Sequence, residues 1–256
     1  MQDTNPTPPA DQEIRDYYDQ HSSEKLNHYI YGNPRIDAAI DLLLTHVPPD
    51  ARQALDIGCA VGETTSRISK TFPYLQVRGT DLSETSIQIA KKLFASEKVS
   101  FECCDIESLE PDPKYDVITL IDVYEHIHKE ARRKTHAILN SLLSEKGVLI
   151  ATTPSELNQI SMHTQEQHRL QPIDEPVTLK DAMQLAQDID GTLLEYSHKS
   201  IWKTNDYLHL VVAKRPLFTL LQARPRSLPS VFRSVSRRLN SYYRKIRINR
   251  LLRNAT

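Results

Sequence analysis

The stretch Leu55-Asp56-Ile57-Gly58-Cys59-Ala60-Val61-Gly62-Glu63 constrains this chain more than any other. An apolar run closes on an acidic residue and two glycines four positions apart, and a segment with helical spacing follows. The pattern predicts strand, tight loop and helix, with glycines that let the backbone bend and approach a ligand closely. The helix start would offer free N–H groups and the positive end of its dipole to an anionic group. Many turns of this kind need glycine for geometry alone, so the motif is also compatible with a structural turn.

Acidic residues recur downstream at the spacing of successive strand–helix units. Val77-Arg78-Gly79-Thr80-Asp81-Leu82-Ser83 predicts a second strand ending in an aspartate, and Phe101-Glu102-Cys103-Cys104-Asp105-Ile106 predicts a third. A fourth runs through Tyr115-Asp116-Val117-Ile118-Thr119-Leu120-Ile121-Asp122-Val123-Tyr124-Glu125-His126. In this order the four motifs resemble those of class I S-adenosylmethionine-dependent methyltransferases, over about residues 14–213. The resemblance implies an α/β fold, a Rossmann-like seven-stranded methyltransferase sheet with helices on both faces, and S-adenosyl-L-methionine as cofactor. The alternation of the chain agrees with it. Strands are expected at 53–57, 75–80, 99–103, 115–122, 147–152, 192–199 and 206–213, and helices at 63–71, 84–95, 129–143 and 178–188. A helix over about 11–22 with Ile14, Tyr17 and Tyr18 on one stripe, and one opened by Pro34, precede them. The polar stretch 155–176, rich in His, Gln and Pro, is long for a connector.

With 256 residues, 39% of them hydrophobic and 25% charged, the chain suits one sizeable soluble core. The expected organisation is a disordered N-terminus at 1–13, a methyltransferase domain at 14–213 and a basic tail at 214–256. The polar, proline-rich start and the lack of any long apolar run predict a cytoplasmic protein. Three cysteines, two of them adjacent, read as reduced residues of the fold.

The resemblance assigns the loop Gly58-Cys59 to Gly62 to the methionyl end of the cofactor, with Asp56 reaching its amino group directly or through water. Asp81 would accept hydrogen bonds from the ribose hydroxyls, since a carboxylate suits a diol. Asp105 would accept from the adenine amino group, Leu82 and Ile106 would line the ring, and Ile121 and Asp122 would offer a carbonyl near the methionyl amine. Ala60 departs from the family's glycine and disfavours a positive φ there. A nicotinamide cofactor is the competing dinucleotide reading, but Gly-x-Gly-x-x-Gly is absent.

Methyl transfer to oxygen needs a positioned nucleophile and, for an alcohol or phenol, a base. His126 is the candidate base, with Glu125 beside it, because several small-molecule O-methyltransferases, including those of ubiquinone biosynthesis, carry a similar Glu-His. The same pair could instead cap the next helix. The acceptor class is a small-molecule, lipid-linked or glycan hydroxyl. No metal is assigned, but a metal-assisted 2′-O-methyltransferase of RNA ends is the alternative, using Asp122, Glu125 and His126 with His163 or His168. A non-catalytic binding subunit of the same fold is the rival of another class.

Charge is distributed unevenly. Residues 1–213 hold 20 Lys and Arg against 33 Asp and Glu, whereas 214–256 hold 12 Lys and Arg and no acid. The acidic body argues against nucleic acid as a partner. Leu228, Phe232, Val235, Leu239, Tyr242 and Ile246 recur at steps of three and four. A basic amphipathic C-terminal helix is therefore expected, with an anionic membrane surface as its possible partner and peripheral attachment as the consequence.

Overall fold

The computed structural model describes residues 11–214, 241 and 244–249. Seven strands form one sheet: β1 Gln53–Ile57, β2 Gln76–Asp81, β3 Val99–Cys103, β4 Tyr115–Ile121, β5 Leu143–Pro154, β6 Thr192–Lys199 and β7 Tyr207–Ala213. Their order is β3-β2-β1-β4-β5-β7-β6. The first five run parallel, and β7 lies antiparallel between β5 and β6. Strand order reverses at β1, so a crevice opens outside the carboxyl ends of β1 and β4, the position at which such sheets bind ligands.

The α-helices that flank the sheet are α1 Asp11–Gln20, α2 Ser22–Tyr31, α3 Pro34–His46, α4 Glu63–Thr71, α5 Glu84–Phe94, α6 Lys129–Leu142, α7 Glu156–Gln165 and α8 Leu179–Asp188, and residues 244–249 are helical as well. Both sheet faces are covered, which is why β4, β7 and the second half of β5 read as nearly continuous apolar runs. On one face Ile40 and Leu43 of α3 and Ile68 of α4 pack on Ala54, Val117 and Ile150. On the other, Leu139 of α6 and Ala182 and Leu185 of α8 pack on Leu55, Ile118 and Leu149. A third cluster joins Tyr29 and Ile30 of α2 to Ile87, Ala90 and Phe94 of α5, with Phe101 beneath.

Three departures from the sequence reading have physical reasons. The single helix expected over 11–22 is a pair, because the chain turns at His21 and continues as α2. Leu26, Tyr29 and Ile30 of α2 meet the body at the spacing of one helix face. Within the polar stretch, Ser155 caps α7 by accepting from the Asn158 amide, while Leu157 and Ile160 stay exposed and supply no core-facing signal. The strand β5 starts at Leu143 rather than 147, with an irregular register before Val148. Of the tail, most of the proposed stripe lies outside the described residues. Its last member, Ile246, is 49% exposed, whereas Ile248 is 3% exposed. Among the described residues no helix is long and apolar enough to cross a membrane.

Gly62 holds the end of the first loop at φ +84°, and a Cβ there would meet Ala90 Cβ and the Phe101 ring at 2.9 Å. Neither neighbour is a flexible side-chain end. Gly62→Ala is therefore expected to destabilise the fold by about 1–3 kcal/mol, read as a lower urea midpoint at unchanged slope. An unaltered midpoint would show that the loop tolerates a side chain.

Candidate functional site

The loop between β1 and α4 is fixed by groups from three strands. Asp56, 1% exposed, accepts from Thr65 Oγ1 at 2.6 Å and Thr119 Oγ1 at 2.7 Å. Burial pushes its carboxyl up to about 6, with the two hydroxyl bonds opposing. Gly58 has φ 71°, and a Cβ there would overlap the Val123 side chain. Ala60 itself adopts φ 46°, so the alanine takes the left-handed conformation that its side chain disfavours. Cys59 donates its amide to Thr80 at 2.9 Å, and its buried thiol is pushed well up by burial and by Asp81.

The carboxylate of Asp81, at the end of β2, ties two loops together. It accepts from the Ala60 amide at 2.8 Å and the Ser83 amide at 2.9 Å. Burial raises its pKa, and these backbone bonds resist the rise. Leu82 follows, its carbonyl accepting from Arg15 at 3.3 Å. Asp19 accepts from the Ser83 hydroxyl at 2.5 Å and the Thr85 amide at 3.2 Å. Helix α1 is thereby fastened over the turn after β2. Asp105 caps the short turn Ile106–Ser108 by accepting from the Glu107 amide at 3.0 Å, so the third acidic motif stands beside the same edge.

The fourth strand delivers a denser cluster. Ile121 is buried, and Asp122 turns the chain with φ 57° while its carboxylate binds Arg35 Nη1 at 2.6 Å. That guanidinium also donates to the Tyr207 hydroxyl at 3.0 Å and lies 5.6 Å from the Trp202 ring centroid. Glu125 and His126 follow in the short turn Tyr124–His126. His126 Nδ1 lies 2.6 Å from the Ile173 carbonyl, and Nε2 lies 3.8 Å from Glu125 Oε1. The carbonyl can only accept, so Nδ1 carries the hydrogen and Nε2 holds a lone pair. Burial drives both groups toward neutrality: the imidazole is lowered, with Asp174 opposing, and the Glu125 carboxyl is raised well above its usual range, further by Asp122.

These groups face a cavity of about 740 Å³. Helices α1 and α2 form one wall through Tyr17, Tyr18, His21, Lys25 and His28; Asp122, Glu125 and His126 form the floor; α7, Asp174 and Trp202–Tyr207 form the far side. The Tyr18 and His126 rings stand 6.5 Å apart. The sequence reading placed Asp56, Gly58, Cys59, Gly62, Asp81, Leu82, Asp105, Ile106, Ile121, Asp122, Glu125 and His126 at one end of the sheet, and all lie there. Asp56 is braced inside the fold, and the Asp122 side chain is engaged by Arg35. Arg35, Tyr207, Trp202 and Asp174 escaped the sequence reading because they come from elements distant in the chain. Of the donors named for the metal alternative, Asp122, Glu125 and His126 line the cavity floor, and Asp122 is paired with Arg35. Among the described residues no three His, Cys, Asp or Glu groups stand together as a metal site, and His163 Nε2 lies 2.8 Å from the Asp174 carbonyl.

Comparison with known proteins agrees with this geometry. Residues 54–147 match a family model described as a methyltransferase domain. An uncharacterized protein of Rickettsia prowazekii is 34% identical over 105 residues, 40% of this chain and 42% of that protein. The malonyl-[acyl-carrier protein] O-methyltransferase of Anoxybacillus flavithermus is 26% identical over 139 residues, 54% of this chain and 53% of that enzyme. The chain thus spans about half the length of these curated relatives. Magnesium protoporphyrin IX methyltransferase from Synechocystis, solved with bound S-adenosylhomocysteine, aligns with a TM-score of 0.61 at 17% identity. That alignment covers 80% of this chain and 99% of the other, and it shows the shared fold.

Arg35→Ala would leave the Asp122 carboxylate partly buried and unpaired, a loss of about 3 kcal/mol. Urea unfolding measures it, and a change below about 1 kcal/mol, the range of an exposed pair, would mean that solvent replaces the guanidinium.

Proposed function

We propose that this chain, which belongs to the class I S-adenosylmethionine-dependent methyltransferases, transfers a methyl group to an oxygen of a small, lipid-linked or carrier-linked acceptor bound in the large cavity. The residues present fit the cofactor. The left-handed glycines leave the Gly58–Gly62 loop open to close approach, and the half-buried Asp81 carboxylate suits a ribose diol. Asp81, Leu82, Asp105 and Ile106 would hold the nucleoside, and the loop with Ile121 and Asp122 the methionyl end. When bound, S-adenosylmethionine supplies an electrophilic methyl group on a sulfonium.

The observation that carries the reading is the state of His126. Its Nδ1 hydrogen is held by Ile173 and burial keeps the ring neutral, so Nε2 can take the proton of an acceptor hydroxyl. Asp174 and Asp122 then favour the imidazolium that forms. Glu125, whose carboxyl burial raises well above its usual range, places Oε1 3.8 Å from Nε2. Tyr17, Tyr18 and the α1–α2 wall line one side of the reacting region.

A second reading has its own support. Relatives that match part of this chain are named for malonyl-[acyl-carrier protein], whose free acyl end is a carboxylate. A carboxylate is already deprotonated and needs no base, only positioning. His126 separates the two acceptor classes. The association of the tail with an anionic membrane rests on its ten basic residues after position 221, and it predicts salt-sensitive co-sedimentation with anionic vesicles.

For a hydroxyl acceptor, a base lowered from the ordinary 6.5 is deprotonated from lower pH. Turnover is therefore expected to rise with pH through one ionisation below 6.5 and to be lost beneath it. His126→Ala should remove that ionisation and cost a hundredfold or more, on the order of the usual contribution of a general base. Full turnover with a carboxylate acceptor would support the second reading, and full turnover with a hydroxyl acceptor would exclude His126 as the base. Calorimetry tests the cofactor assignment. Asp81→Ala should weaken S-adenosylmethionine by on the order of 1.5–3 kcal/mol for each lost bond to the charged oxygen pair. No binding to the unaltered protein at micromolar concentrations would sink the methyltransferase reading.

A further inference from the structure

The N-terminal wall of the cavity is fastened at two points that the reaction does not use. Asp19 and Arg15 hold α1 to the turn after β2. The second fastening comes from the far end of the chain. Arg244 donates to the Tyr29 carbonyl in the last turn of α2 at 2.9 Å, and its guanidinium lies 4.8 Å from the Tyr29 ring centroid. Arg247 donates to the Leu93 carbonyl at the end of α5 at 2.6 Å. Ile248 fills the cluster between them, against Tyr29, Ile87 and Phe94. Tyr29 and Phe94 meet edge to face at 5.2 Å.

The third contact links this patch to the cofactor loop. Arg244 lies 4.0 Å from Glu63 Oε1, and Glu63 is the first residue of α4, directly after Gly62. Arg67 approaches the same oxygen at 3.8 Å. One segment, 244–249, thus touches the carboxyl ends of two helices and the amino end of a third. A cation at a helix carboxyl end complements both the free carbonyls and the dipole.

We infer that Arg244, Arg247 and Ile248 are positioning residues that hold α2, and with it Lys25 and His28, against the cofactor loop, so that cofactor affinity depends on the C-terminal segment. This rests on the methyltransferase reading. None of the three is a catalytic residue, since none lines the cavity. They act through α2 and Glu63. The part of the basic tail that reaches 244–249 is engaged by the body through Arg244 and Arg247, which are directed at main-chain carbonyls and, for Arg244, at Glu63, while Lys245 stays exposed.

The test uses the full chain carrying Arg244→Ala and Arg247→Ala together, titrated calorimetrically with S-adenosylmethionine and followed by hydrogen exchange. The expected result is a dissociation constant raised about tenfold and faster exchange over residues 22–31. Exchange in β4 and β5 should stay unchanged, which a general loss of stability would not allow. Arg244→Lys in the Arg247 background should recover most of the affinity, because an ammonium can still donate to the Tyr29 carbonyl. Equal affinity and equal protection of 22–31 in the double variant would overturn the inference. Failure of the unaltered protein to bind at all would overturn the family-based reading instead.

Discussion

The carboxylate of Asp56 is the interaction on which the carboxyl-end edge of the sheet depends. It sits between a hydroxyl on the first turn of α4 and a hydroxyl on β4, so one charged group fixes the helix start and the neighbouring strand relative to β1. The network continues outward. Asp81 joins the first loop to the second through two amides, and Asp19 joins the second loop to α1. Three aspartates in succession thus set the position of a wall that begins more than thirty residues before β1.

Carboxylates crowded into one buried edge also carry a shared tension. Asp56, Glu63, Asp81 and Glu125 are all raised by burial, and Asp122 adds to the rise at Glu125. Such an edge is unfavourable to a second anion and receptive to a cation, because each raised group gains its charged form back as positive charge enters. A sulfonium cofactor with an ammonium group supplies that charge, whereas a phosphate-bearing dinucleotide does not. The ion pair of Arg35 with Asp122 shows the same economy within the protein.

Most of the sheet was legible because its strands are buried on both faces and its turns are marked by acids and glycines, as at Asp56-Ile57-Gly58 and Asp81-Leu82-Ser83. Less legible were elements whose burial is partial. Helix α7 keeps Leu157 and Ile160 in solvent, and α2 presents only Leu26, Tyr29 and Ile30 to the body. Cavity residues supplied by long-range contact left no local signature: Arg35 reads as part of a helix start, and its partner Tyr207 lies 172 positions away. Ala60 was set against a left-handed backbone and adopts one, where its N–H donates a hydrogen bond to the Asp81 carboxylate.

The bond between Arg244 and the Tyr29 carbonyl spans 215 positions. During synthesis α2 leaves the ribosome long before its last contact exists. Sheet strands from β1 to β5 can pair as they emerge, β2 on β1, β3 on β2, β4 back on β1 and β5 on β4. The wall of the cavity cannot be completed in that order. It is early in translation and late in folding, and through that interval the apolar side chains of Tyr29, Ile30 and Phe94 lack the isoleucine that finally covers them. A nascent chain of this protein therefore has a nearly finished sheet before it has a finished pocket.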